Sequence, residues 1–230
     1  MGAHVCYSIL TSILAATAFL LCWSSEFGCA FISFTSNSGF TQPVTVKFGI
    51  WSYQFWTVAT SVGGSVVFET CQRYPSSVDI DSTWRASRAF STLALILGGI
   101  FLFYNLISAC VSPLRKTPPV EALAYLLACF FQAMSLLILS SSICTDNSLL
   151  EKLELQAAQL GITGLDFPET CSMSTGANCT IAAIIFWALS AWTSTMTVRF
   201  EKKEAESNDV IEPLIPGENL SETLWSSREV

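Results

Sequence analysis

A membrane-embedded bundle of four helices with a small extracellular antiparallel sheet is the fold class this sequence predicts, and three observations carry the prediction. Four stretches are long, apolar and free of formal charge. The charged residues lie between these stretches and after the last of them. The longest connection alternates apolar and polar residues as β-strands do. Composition agrees, because Asp, Glu, Lys and Arg make up only 13% of the chain and hydrophobic residues 51%. A soluble domain carries about 25% charged residues, so much of this chain is expected to face something other than water. The 230 residues suit one domain. A formal net charge of −7 removes the basic footprint that nucleic-acid binding needs.

A crossing helix needs roughly 20 mostly apolar residues. The segments that qualify are about 5–23, 90–111, 122–143 and 180–198, and none contains Asp, Glu, Lys or Arg. The first lacks the basic leader and the small-residue cleavage site of a signal peptide, so it is expected to be retained as a span. Orientation follows the excess of Lys and Arg on cytoplasmic loops. Arg115 and Lys116 lie between spans two and three, and Arg199, Lys202 and Lys203 follow span four. Both clusters are placed in the cytoplasm with both termini, which leaves 24–89 and 144–179 as external loops, with the plasma membrane as the expected location. Residues 1–199 form the membrane domain, and 200–230 read as a disordered acidic cytoplasmic tail. The Pro118-Pro119 pair stops any continuous helix ahead of span three.

The first loop reads as four or so antiparallel strands. Residues 30–34, 44–48, 50–60 and 65–70 are rich in β-branched and aromatic residues, and Gly63-Gly64 is a hairpin signal. Asn37-Ser38-Gly39 and Pro43 punctuate the earlier part. Phe48, Trp51, Phe55 and Trp56 are expected between sheet and helices or at the lipid interface. In the second loop, 148–160 has a leucine-rich side and a charged side and reads as a helix ended by Gly161 and Gly164.

The nine cysteines divide by compartment. Cys6, Cys110 and Cys129 lie in spans or near the cytoplasmic side and read as free thiols. Cys29, Cys71, Cys144, Cys171 and Cys179 face the oxidising side, with Cys22 at its edge, and disulfides are expected there. Cys29–Cys71 and Cys144–Cys171 are the favoured pairs and Cys179 is an alternative partner, although six cysteines admit fifteen connectivities. No metal site or cofactor is expected, because the one histidine, His4, lies at the opposite face.

Enzyme chemistry is not expected. The chain has no nucleophile elbow, no histidine-based triad and no phosphate-binding glycine loop. With no charged residue in any predicted span, ion-coupled transport lacks its usual groups as well. Lateral association remains. Ala94-x-x-x-Gly98, Ala124-x-x-x-Ala128 and Ser190-x-x-x-Ser194 space small residues for close helix packing, within one bundle or against a second copy or another membrane protein. An exposed strand edge offers a second route. In the first loop Glu26, Glu69, Asp79 and Asp81 balance Lys47, Arg73, Arg85 and Arg88. The second loop is acidic through Asp146, Glu151, Glu154, Asp166 and Glu169 against Lys152, which would favour cations at an assembled surface.

Gly49-Ile50-Trp51, Cys71 and Arg88 carry a resemblance. The chain resembles the superfamily of claudins, peripheral myelin proteins and calcium-channel gamma subunits. Its signature is Gly-Leu-Trp, two spaced cysteines and an arginine near the start of the second span. Here Ile50 replaces the leucine, and the first signature cysteine, expected near Gln54, is missing; Cys29 is the candidate substitute. The resemblance implies a claudin-like four-span fold and side-by-side assembly through the extracellular segments. The expected function is that of a non-enzymatic structural or adhesion protein. An auxiliary subunit of a channel or larger membrane complex is the second expectation, and a small channel or transporter the third. The lipid bilayer, further copies of the chain and a larger membrane protein are the expected partners.

Overall fold

The computed structural model describes residues 3–36, 45–61, 64–76, 78, 80–110, 118–145, 147–159 and 167–211. Four helices are long and apolar enough to cross a bilayer, over Cys6–Phe27, Ser82–Ser108, Pro119–Ser140 and Thr175–Phe200. They belong to α1 (Ala3–Phe27), α2 (Ser82–Cys110), α3 (Pro118–Met134) with the 3-10 turn that extends it (Ser135–Ser140), and the last helix of the chain. Between α3 and that last helix lie a short α4 (Ser142–Thr145) and α5 (Ser148–Gln159), so the last helix is α6 (Thr175–Ile211).

Helix α1 shows how the sequence sorts itself. Thr11, Ala15, Ala18, Cys22, Ser25 and Glu26 are buried at 2% exposure or less, a spacing that keeps one stripe of a 3.6-residue helix turned inward. The opposite stripe, with Ile9, Ile13, Leu20, Trp23 and Phe27, is exposed and apolar. Such a face suits lipid and not water. The buried stripe carries the small and polar residues because lipid gives helices no hydrophobic reason to associate, so close packing and hydrogen bonds must do it. Thr11 donates to Thr193 at 2.8 Å, Cys22 to Gln132 at 2.9 Å, and Ser87 to the carbonyl of Ser135 at 2.5 Å.

In the bundle α1 packs on α2 and α6, and α3 packs on the same two helices. Its core sets Tyr125 and Trp187, stacked with centroids 5.6 Å apart, among Ala15, Ala18, Ala128, Ala183 and Ala191. Gly98 makes room for that tryptophan, since a methyl group there would lie 2.4 Å from the indole ring. Ala94, Gly98, Ala124, Ala128, Ser190 and Ser194 are all buried within this one bundle.

The sheet sits at one end of the bundle. Its strands are β1 (Ile32–Thr35), β2 (Thr45–Phe48), β3 (Ser52–Ser61), β4 (Gly64–Arg73) and β5 (Ser172–Met173), in the order β4-β3-β2-β1-β5 with every pair antiparallel. The fifth strand comes from the second loop and pairs with β1, which joins the two loops into one unit. Beneath it, Phe31, Ile32, Phe34, Val46, Phe48, Ile50, Ile138, Ile143 and Phe167 form a second core, rich in large side chains where the bundle core is rich in alanine. Disulfides join Cys29 to Cys71 and Cys144 to Cys171, the pairs favoured on sequence. Cys179 is a half-buried free thiol in α6.

The helices run past the expected spans: the first reaches Phe27, the second starts at Ser82 and the fourth at Thr175. These long helices therefore contain Glu26, Arg85, Arg88, Glu121 and Arg199 beyond the charge-free stretches. A search for apolar runs stops at the first charge, whereas a helix continues through it when the side chain is buried against donors or reaches the interface. Asp81 starts α2 early by accepting the Trp84 amide at 2.7 Å as an N-cap. The sequence predicts a disordered tail from Phe200, whereas α6 continues to Ile211. Its extension, Glu201-Lys202-Lys203-Glu204-Ala205-Glu206, consists of strong helix formers. The expectations for Asn37-Ser38-Gly39, Pro43, Gly63, Asp79, Arg115, Lys116, Asp146, Gly161, Gly164, Asp166 and 212–230 lie outside the described residues, as do the side chains of Phe55, Trp56, Cys110 and Lys202.

Candidate functional site

The Gly49-Ile50-Trp51 turn is the point where sheet and helices are fastened together, and each of its three residues is held by a different device. Gly49 donates its amide to the Ser52 carbonyl at 2.7 Å and lies against the chain just beyond α1. A methyl group at Gly49 would come within 2.1 Å of the Gly28 carbonyl oxygen and 2.8 Å of the Cys29 Cα. Only glycine lets these backbones approach so closely. Gly49→Ala should therefore lower stability by about 2 kcal/mol through backbone displacement. Thermal unfolding in detergent checks this, and an unchanged transition would contradict the close approach.

Above the turn, the Tyr74 hydroxyl donates to the Gly49 carbonyl at 2.7 Å. Burial pushes the Tyr74 phenol far above its ordinary range, so it remains a donor throughout the physiological range. The Ile50 carbonyl accepts from Arg88 Nε at 2.8 Å and from Trp84 Nε1 at 3.3 Å. The Arg88 guanidinium lies 4.8 Å from the Trp51 ring centroid, 4.7 Å from that of Trp84 and 5.5 Å from that of Tyr74. A cation among three aromatic faces is favourable even where water is scarce. Phe34, Phe48, Tyr53, Tyr74 and Trp84 continue as a chain of ring contacts from the sheet core to α2.

Glu26 closes the cluster from below. It is 2% exposed at the end of α1. Its Oε1 accepts from Trp51 Nε1 at 2.5 Å and from Thr92 Oγ1 at 3.0 Å, and its Oε2 accepts from Ser91 Oγ. Glu26 and Arg88 stand close enough to interact electrostatically. A buried carboxyl group needs donors of this kind around it. Both belong to the first-loop charges named in the sequence analysis, and in the structure they hold Trp51 and Ile50. Asp81 is occupied as well, because its Oδ2 accepts the Ser142 amide at 2.8 Å.

Cys71 is tied to the same region through Cys29, which directly follows Gly28. Gln54, where the resemblance places a cysteine, lies opposite Cys71 in the β3–β4 register. The bridge thus leaves the same strand position but runs to the α1–β1 connection. Arg199 and Lys203 are exposed near the far end of α6. That end lies opposite the sheet, because α6 begins with the Gly176 amide on the Ala30 carbonyl at 2.7 Å. A second buried carboxylate, Glu121, accepts from Asn105 Nδ2 at 2.7 Å near the start of α3.

Trp51 and Arg88 were visible in the sequence; Glu26, Tyr74, Trp84, Ser91 and Thr92 were not. One signal pointed to Glu26: it continues the stripe of Thr11, Ala15, Ala18 and Cys22. Beside the cluster lies a half-open pocket of about 500 Å³ lined by Glu26, Phe27, Trp51, Ser52, Arg73, Thr92 and Leu95. No protein-family model matches this chain, and no curated protein matches it.

Proposed function

We propose that this is a non-enzymatic, claudin-like membrane protein that assembles side by side with further copies of itself, using the sheet as its contact surface. The observation that carries the reading is the edge strand β4. It is ten residues long, pairs with β3 on one side, and has no strand on its other side among those described. The opposite edge is β5, only two residues long. A long open edge is a template for strand addition, and here the Trp51 turn anchors the start of the neighbouring β3 while the Cys29–Cys71 bridge ties β4 itself to the chain just beyond α1. The small-residue faces are used inside the bundle, which leaves the sheet as the favoured route. The placement of Gly49, Ile50, Trp51 and Arg88 in one cluster also supports the kinship. In this reading the sheet faces the cell exterior, both termini are cytoplasmic, and the protein resides in the plasma membrane.

Chemical cross-linking of the full chain in intact cells is the test. A ladder at multiples of the chain's own mass is the expected result. A single stoichiometric adduct with one foreign membrane protein would overturn self-assembly in favour of an auxiliary-subunit role.

A further inference from the structure

We infer that the pocket between the end of α1, the middle of α2 and the β3–β4 ladder binds the phosphate and one acyl chain of a glycerophospholipid from the leaflet on the sheet side. This rests on the membrane reading and not on self-assembly.

Position is the first argument. The pocket is built from the last two residues of α1, Glu26 and Phe27, from Thr92 and Leu95 of α2, and from Ser52 and Arg73, which pair across β3 and β4. It therefore lies where helix gives way to sheet, the depth of the headgroups. Trp23 and Phe27 mark the same level with rings 4.7 Å apart, as interfacial aromatics do. Just along the helices Leu20, Leu93 and Ile96 are 66%, 45% and 54% exposed. An apolar track thus leads from the pocket down the lipid-facing surface.

Charge is the second argument. Glu26 is 2% exposed, and its carboxyl group is already committed to Trp51, Ser91 and Thr92. Arg73 is exposed at the rim, with no ion pair to another described residue. The pocket's exposed ionisable group is therefore a guanidinium, whose planar fork suits a phosphodiester. The phosphate seats at Arg73 with the Ser52 hydroxyl nearby, away from the carboxylate at the back. Phe27, Trp51 and Leu95 then wall the start of an acyl chain. The volume of about 500 Å³ takes a headgroup and the first methylenes of one chain.

The test uses the full chain in mild detergent and native mass spectrometry. The probes are dioleoyl phosphatidylglycerol, dioleoyl phosphatidylcholine, dioleoylglycerol and inorganic phosphate. One tightly held molecule of either phospholipid is expected. Dioleoylglycerol, which lacks the phosphate, should not compete, and inorganic phosphate, which lacks the chains, should not displace the lipid. Arg73→Gln should weaken retention about tenfold, the loss of one charge-assisted contact, while Lys47→Gln on β2 should leave it unchanged. Leu95→Trp fills the pocket and should abolish retention without touching any charge. Equal retention by folded Arg73→Gln, an equal loss in Lys47→Gln, or displacement by dioleoylglycerol or phosphate would overturn the inference.

Discussion

Glu26→Ala should destabilise the protein by about 3 kcal/mol, the order seen when one partner of a buried charged cluster is removed. The substitution leaves the indole N–H of Trp51 and the hydroxyls of Ser91 and Thr92 without their shared acceptor. Glu26→Gln keeps an acceptor oxygen and should lose about half as much. Unfolding of the purified protein in detergent would measure both. Trp51 supplies a local readout, because the freed turn should expose its indole further and alter its fluorescence ahead of global unfolding. If alanine at position 26 unfolded at the same midpoint as the parent, the carboxylate would not be what fastens the sheet to the bundle.

Breaking the Cys29–Cys71 bridge should produce the largest loss of all. The bond closes 42 residues of sequence, and the chain-entropy relation gives about 4 kcal/mol for a loop of that size. The Cys144–Cys171 bond closes 27 and should be worth slightly less. The difference in consequence is greater than the difference in entropy. Cys29 directly follows Gly28, whose carbonyl Gly49 approaches, so losing the bond also loosens the Trp51 turn. Cys29→Ser should therefore lower the unfolding midpoint and make the Cys71 thiol reactive to maleimide in the otherwise folded protein. A folded Cys29→Ser variant whose Cys71 resists maleimide would show that another contact fixes the turn.

The four long apolar helices were legible because a bilayer-spanning segment needs a length and a composition that few other structures share. The strands were legible as well: the sequence placed 30–34, 44–48, 50–60 and 65–70 close to the observed β1 to β4. What sequence periodicity could not reveal was β5, whose two residues belong to the sheet only through pairing with β1 across the fold. The helices extend past the predicted spans for one physical reason. Glu26, Arg88 and Glu121 are charges in helical segments, tolerated because tertiary neighbours satisfy them, and no local pattern announces such neighbours. The candidate site was half legible for the same reason. Gly49, Ile50, Trp51 and Arg88 stood out as a motif, while Tyr74, Trp84, Ser91 and Thr92 acquire their roles only once β4 and α2 are brought beside the turn.

All of this requires that the two bridged loops share one face of the membrane and that the connection between α2 and α3 lies on the other. Labelling with a membrane-impermeant maleimide measures that directly, comparing Cys71 freed by Cys29→Ser with a thiol introduced by Arg115→Cys. In intact cells Cys71 is expected to react at once, and position 115 only after the membrane is permeabilised. Reaction of both positions in unbroken cells would contradict the four-crossing arrangement.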